Sequence, residues 1–264
     1  MLYCTYQESG RTFSIMIQDL HSHSYYSFCG KDAPEVIVEA AIAGGVELFG
    51  ICDHNHGVGL QKRCVRKAEC DLLFDDYERT LMRYFDHINL IREKYAEKIQ
   101  VLRGIEICTQ ISAFRMTLPA SADVSLFDYC LIEHLDQTDD TITHGDLFSF
   151  AERCGCPTGV AHTDLFAFIH SIGEDPYRYF KRMAEANIFW EMNVSYDSIH
   201  KYREHPYMLR FFEDKEQQAI VRESGVRLSV GFDGHKVEDY RPDRVREACE
   251  KITAMGIKLA FEPD

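Results

Sequence analysis

The sequence predicts an α/β fold, a barrel of seven strand–helix units or a distorted relative of one. Short apolar runs alternate with amphipathic stretches along the chain. That alternation implies parallel pairing, because a crossover helix is needed to return to the same sheet edge. The length, 264 residues with 45% hydrophobic composition, is ample for one large core, and α/β barrels of roughly 200–250 residues often fold as a unit. Histidines and acids gather just past the C-terminal ends of the proposed strands, the end where parallel α/β folds build active sites. Alternation alone does not separate a barrel from an open doubly wound sheet; the polar residues discriminate better.

The proposed strands cover residues 13–19, 47–53, 100–108, 129–133, 158–161, 188–193 and 227–232. The proposed helices lie near 33–44, 75–98, 144–154, 176–187, 207–224 and 242–255. The longest carries apolar residues at Tyr77, Leu81, Tyr84, Ile88, Ile91 and Tyr95, a helical period with one buried face. Gly225 and Gly256 stand where helix C-caps belong. There is no low-complexity segment, Pro- or Gly-rich linker or internal repeat, so residues 1–264 are expected to form one domain.

No stretch approaches the ~20 uninterrupted apolar residues of a membrane span. Residues 1–11 are polar and acidic where a signal peptide needs a basic start and an apolar run, so a cytoplasmic protein is expected. The ten cysteines are scattered, without a CxxC pair, and read as reduced thiols, many of them buried. Cys154 and Cys156 are too isolated to suggest a zinc ribbon. A formal net charge of −14 argues against a nucleic-acid polymer as main partner, since such binders neutralise phosphates with basic surface. A small substrate fits better, and bound cations would offset part of the acidity.

The strand ends carry the chemistry. The first ends in Asp19-Leu20-His21-Ser22-His23, the second in Asp53-His54-Asn55-His56, and the third contains Gly104-Ile105-Glu106. The next two end in Glu133-His134 and Ala161-His162; then follow Glu191-Met192-Asn193 and Gly231-Phe232-Asp233-Gly234-His235. In an extended segment His21 and His23 point to the same side, and two such imidazoles can share a cation. Carboxylates from other strands would complete the shell and bridge a second ion, as pairs ~3.5–4 Å apart require. Imidazole-rich ligation favours zinc, manganese or iron over magnesium or calcium. Taken singly, the HxH pair reads equally well as a surface pair, and Asp53-His54 as a satisfied polar pair. Glu106, within an apolar strand, is harder to dismiss, because buried acids need partners. Recurrence at nearly every strand end carries the argument.

These residues, in this order, resemble the PHP superfamily (polymerase and histidinol phosphatase domains), from Asp19 to His235. The D-L-H-x-H motif is similar to Asp19–His23, the T-D-H motif to Cys52-Asp53-His54, and the bridging acid of G-x-E to Glu106. The single histidines match His134 and His162, and the closing D-x-H matches Asp233 and His235. The resemblance implies a distorted seven-stranded TIM-like (β/α) barrel with two or three divalent transition metal ions. It implies a first ion on His21, His23, Glu106 and Asp233, with Glu106 bridging to a second on His134 and His162. A third would rest on His54 and His235 plus an acid or His shortly after the first motif. That position is Cys29 here, a departure: either the thiolate ligates, as thiolate does zinc, or the third site is weak or empty. Phe232 also departs, where the family often has Ser, which changes the pocket floor more than its metals.

The implied reaction is hydrolysis of a small phosphomonoester, as in histidinol phosphatase, by a metal-bridging hydroxide attacking phosphorus in line. Asp233 or His235 would shuttle a proton, and Asp19 and Asp53 would orient ligating imidazoles. Arg115, Arg203, Lys236 and Arg241 follow metal-bearing strands and are candidate phosphate clamps, although each alone reads as a solvated surface cation. His56 and Asn55 are candidates for the mouth. His87, His144, His170, His200 and His205 read as structural. Alternatives are a phosphodiesterase or other metallohydrolase on the same scaffold, or a non-catalytic metal-binding regulatory module, against which the full ligand set argues.

Overall fold

The computed structural model describes residues 5–8, 11–55, 77–111, 117–137 and 139–263. A short antiparallel hairpin, β1 (Thr5–Glu8) and β2 (Arg11–Ser14), precedes the main sheet. Seven strands then pair in parallel and in chain order. They are β3 (Gln18–Asp19), β4 (Leu48–His54), β5 (Gln100–Cys108), β6 (Tyr129–Glu133), β7 (Thr158–Val160), β8 (Ile188–Asn193) and β9 (Leu228–Gly231). Beyond these strands the first and last segments meet: Leu20 N donates to Val230 O at 2.8 Å, Asp233 N to His21 O at 2.7 Å, and His23 N to Gly234 O at 2.8 Å. The sheet is therefore a nearly closed α/β barrel of TIM-like type, as expected. The proposed strand at 13–19 divides in two, since residues 11–14 pair back on β1 and only Gln18 and Asp19 join the barrel ladder.

The helices are α1 (Pro34–Ala43), α2 (Tyr77–Tyr95), α3 (Leu147–Cys154), α4 (Leu165–Ser171), α5 (Pro176–Glu185), α6 (Pro206–Glu213), α7 (Lys215–Ser224) and α8 (Pro242–Ala254). Proline stands in the first turn of α1, α5, α6 and α8, where its missing N–H costs nothing. Asp146, Asp164, Asp175 and Asp214 accept from backbone N–H groups of the first turns of α3, α4, α5 and α7. Asp214 also explains why the proposed helix 207–224 breaks: its extended backbone ends α6 while its side chain caps α7. Helix α4 was absent from the sequence reading because its seven residues fall short of two clear periods. On α2, Leu81, Tyr84, Ile88, Ile91 and Tyr95 are buried as the period predicts, while the Tyr77 side chain lies outside the described residues. Gly225 caps α7 with a left-handed backbone, and Gly256 adopts one just beyond α8. Among the described residues no helix is long and apolar enough to cross a membrane.

Alternation along the strands sorts side chains into two layers. Phe49, Ile51, Val101, Ile105, Cys130, Ile132, Trp190 and Val230 pack outward beneath the helices. Leu48, Cys52, Leu102, Tyr129, Leu131 and Phe189 face the lumen with Leu20, Ala161 and Ala260. The Tyr129, Phe189 and Phe261 rings touch one another with centroids 5.9–6.2 Å apart and plug the floor. The same inward parity, continued toward the C-terminal strand ends, aims Glu106, Glu133, Glu191 and Asn193 into the mouth.

Candidate metal centre

Glu106 is the hub. It is 1% exposed, and four imidazoles converge on its two oxygens. His54 Nδ1 lies 2.6 Å from Oε2, His162 Nε2 3.2 Å from Oε1, His21 Nε2 3.3 Å from Oε1 and His23 Nε2 3.5 Å from Oε2. Asp233 closes the other side, with Oδ1 3.0 Å from His23 Nε2 and 3.6 Å from His21 Nε2. Burial alone would raise the Glu106 carboxyl, but the adjacent His54 and His21 hold it well below the usual carboxylate range. Asp233, also buried, is held well below its ordinary value by His21 and His235.

His21 Nε2 and His23 Nε2 stand 3.2 Å apart. The far nitrogen of each ring already has a partner: His21 Nδ1 meets Glu191 Oε1 at 2.7 Å, and His23 Nδ1 meets Ser27 Oγ at 3.3 Å. With the protons placed there, two lone pairs and two carboxylates would face one point. In the protein alone one proton relieves this. Burial opposes charge on His21, but Glu191, Asp233 and Glu106 hold that imidazole well above its ordinary value. Burial and the neighbouring His54 push His23 down to about 3. A divalent cation fits the same point and lets both nitrogens and both acids act as ligands, as this mixed nitrogen–oxygen donor set suits zinc, manganese or iron.

Other residues have more peripheral places. His162, pushed up to about 9 against the effect of burial by Glu106, joins the hub. His134 stands at the edge, its Nε2 3.3 Å from Glu133 Oε2 and its ring 6.4 Å from that of His162. The His235 ring stacks on His23 at 4.6 Å, with Nε2 3.7 Å from Asp233 Oδ1. Among the described residues, His21/His23/Asp233, His54/Glu106/Glu133, His23/Cys29/His54, Cys108/Glu133/His134 and Asp197/His200/His235 each bring ligand atoms within 4.8 Å of one another.

The two acids expected to orient imidazoles act on the backbone instead. Asp19 Oδ1 accepts from Phe232 N at 3.0 Å and His21 N at 3.3 Å, while Oδ2 accepts from the Tyr240 hydroxyl at 2.9 Å. Asp19 thus fastens the first strand end to the last. Its carboxyl is pushed up to about 6 by burial. Asp53 accepts from the backbone and hydroxyl of Ser24 and Ser27, folding the 24–27 turn and reaching His23 only through Ser27. The carboxylate that orients His21 is Glu191, whose other oxygen accepts from His162 N at 2.8 Å and Asn193 Nδ2 at 3.2 Å. Gly231 makes that pairing possible, because a Cβ there would collide with Glu191 Oε1 and the His21 Cβ. Glu191 carries the same signal as Glu106, an acid inside a buried apolar strand. The loop after β8 adds a residue that sequence reading took as structural: His200 Nδ1 lies 2.7 Å from Asp197 Oδ1 and its Nε2 3.1 Å from Asp233 Oδ2. His205 follows it, its ring parallel to His162 at 6.1 Å. No periodicity in that loop points to either histidine.

His56 and Arg115 lie outside the described residues. Arg203 is exposed, and Arg241 forks onto Asp243 at 3.0 and 2.7 Å on the surface. Lys236, next to His235, reaches Ser198 Oγ at 3.3 Å. Asn55 does not line the mouth: it is fully buried and its Oδ1 accepts from Cys108 N at 2.7 Å, stapling β4 to β5.

Three strand-end residues, His134, His162 and Asp233, have φ values of 65°, 30° and 55°. A left-handed backbone costs a non-glycine residue of order 1–3 kcal/mol and clusters at functional sites. Here it turns three chain segments sharply over the barrel mouth.

Among solved structures, the fold is similar to that of histidinol phosphate phosphatase from Lactococcus lactis, crystallised with zinc, L-histidinol and phosphate. That match has a TM-score of 0.53 and 16% identity, covering 93% of this chain and 96% of that one. A putative histidinol phosphatase from Listeria monocytogenes matches with a TM-score of 0.39 and 14% identity, over 92% and 93% of the two chains. No curated protein sequence matches the chain. The family model for the PHP domain matches residues 19–258, a span holding every residue of the cluster. The chain belongs to the PHP domain family.

Proposed function

We propose that this protein is a metal-dependent phosphoesterase that hydrolyses a small phosphomonoester. The observation that carries the reading is the 3.2 Å approach of His21 Nε2 and His23 Nε2 between the carboxylates of Glu106 and Asp233, a concentration of buried donors aimed at one point. Family membership and the ligands of the Lactococcus lactis structure support the phosphoester class.

His21, His23, Glu106 and Asp233 would hold one ion, and Glu106 would share a second with His162 and His134. His54 and His235 would serve a third. When bound, such ions supply positive charge for phosphoryl oxygens and lower the pKa of a water at the site. Glu191 keeps His21 in the tautomer that leaves Nε2 available, and Ser27 does the same for His23. Asp233 Oδ1 faces the ion site while Oδ2 meets the His200 ring, which Asp197 and Asp233 push up to about 9 against burial and so keep protonated beside the site. Among the described candidate cations Lys236 is the nearest to the cluster in sequence, next to His235, with its Nζ turned to Ser198 Oγ and Glu238 Oε1. The test is metal analysis of the purified protein together with a panel of phosphomonoesters and phosphodiesters. At least one equivalent of zinc, manganese or iron, with monoester hydrolysis abolished by chelation, is expected. Less than one equivalent and no monoester hydrolysis would refute the proposal, and turnover of diesters alone would move it to the phosphodiesterase class.

A further inference from the structure

Cys29 has no role in the proposed hydrolysis, and the sequence leaves open whether its thiolate ligates. It sits in the segment between β3 and α1, half-buried, with its Sγ grouped with ring nitrogens of His23 and His54 within 4.8 Å. His235 borders the same point: its ring stacks on His23, and the ring of Phe28, beside Cys29, stacks on His54 at 5.6 Å. The segment is anchored rather than draped. Asp53 binds Ser24 and Ser27, Lys31 N donates to His235 O at 3.0 Å, and Tyr25 N to Asp32 O at 2.8 Å. Gly30 is pressed so closely on Ser24 that a Cβ would overlap its carbonyl, which fixes Cys29 over the imidazoles.

Two imidazoles meet the thiol: Cys29 is within hydrogen-bond contact of the side chains of His54 and of His235, the latter 5% exposed. The Nδ1 of His235 is taken by a buried ion pair with Asp197 Oδ2 at 3.6 Å, which turns its Nε2 toward the cluster, 3.7 Å from Asp233 Oδ1.

We propose that Cys29 donates a thiolate to an ion shared with His54 and His235, making this one position of the cluster thiophilic. Resting on the metal-dependent reading above, this inference assigns the third position a sulfur–nitrogen donor set. That set selects zinc, cobalt or cadmium over manganese and magnesium. On binding, the Cys29 S–H bond breaks, its proton leaves to solvent, and the sulfur electron pair forms the bond to the ion. The remaining positions, built from imidazole and carboxylate, keep no such preference.

The test is optical titration of the metal-free full chain with cobalt(II). One equivalent is expected to bring a near-ultraviolet thiolate-to-cobalt charge-transfer band, and the others none. In Cys29→Ser the band and one equivalent of bound cobalt are lost; in Cys29→His the equivalent returns without the band. Cys108→Ser is the control, because Cys108 is grouped with Glu133 and His134 on the other side of the hub. Thermal melting of each metal-free variant verifies folding. The inference is overturned if the wild-type chain binds cobalt with no band, if Cys29→Ser keeps it, or if Cys108→Ser removes it. Cobalt bound without the band leaves the phosphoesterase reading standing, whereas no bound cobalt at all defeats both.

Discussion

The two ends of the barrel lumen are built from the same strands and obey opposite rules. At the floor, Tyr129, Phe189 and Phe261 close on Leu48, Leu102 and Ala260, an apolar plug whose one buried hydroxyl, that of Tyr129, donates to Leu20 O. Two to four residues further along the same inward-facing rows, the mouth packs Glu106, Glu191 and Asn193 against a crowd of imidazoles. The floor supplies stability without electrostatic cost. The mouth concentrates ionisable groups at low exposure, and the left-handed backbone at His134, His162 and Asp233 adds strain. The difference teaches that folding energy comes from one end of the lumen and is spent at the other.

Mutations at the two ends should therefore separate stability from metal binding. The largest effect is expected at the floor. Phe189→Ala should cost about 3–5 kcal/mol of stability, read by denaturant unfolding, while the folded fraction keeps its full metal content. Glu106→Gln should do the reverse, lowering hydrolysis on the order of 10²–10³-fold and reducing bound metal, with the cooperative unfolding transition retained. A Phe189→Ala protein that stays folded but loses its metal would break the separation.

Glu191→Gln is expected to be intermediate. It leaves the ligand set intact but loosens His21 and the His162 backbone, so metal affinity should fall about 10–100-fold, measured by competition with a chelating dye. An unchanged affinity would mean that Gly231 and the strand ends alone fix the His21 ring.

The smallest effect belongs to the outer layer of the barrel, away from the mouth. Asp128 accepts from Arg103 N at 2.8 Å, Nε at 3.0 Å and Nη2 at 2.8 Å. Burial would raise this carboxyl, but Arg103 holds it below its ordinary value. A depressed folded-state value contributes stability above the unfolded value, near 3.9, and loses it as pH falls toward the folded one. Asp128→Asn should therefore cost about 1 kcal/mol at pH 7, and less as the pH drops below about 4, with metal content unchanged.

The barrel was legible because its signals are local and repeated: apolar runs, the α2 period from Leu81 to Tyr95, and prolines and capping acids at helix starts. The convergence on Glu106 was legible because the residues that meet there lie at or near strand ends, which topology gathers whatever the loops do. Glu191 was visible as an acid within a buried strand, but its partner was not, since pairing with His21 depends on the register of β8 against β9 and on the space left by Gly231. His200 reads as structural in the sequence because a histidine in an aperiodic loop carries no directional signal, and only the fold of residues 194–205 brings it to Asp233. The resemblance implies that Asp19 and Asp53 orient imidazoles, whereas backbone amides and hydroxyl groups compete for the same oxygens and win.

The central claim is that the crowded mouth is an ion site whose hub is Glu106. Anomalous diffraction from crystals grown with manganese or zinc tests it most directly. The account predicts peaks on both sides of the Glu106 carboxylate, one bounded by His21, His23 and Asp233 and another by His162. A well-ordered mouth without anomalous density, or density confined to surface acids, would contradict it.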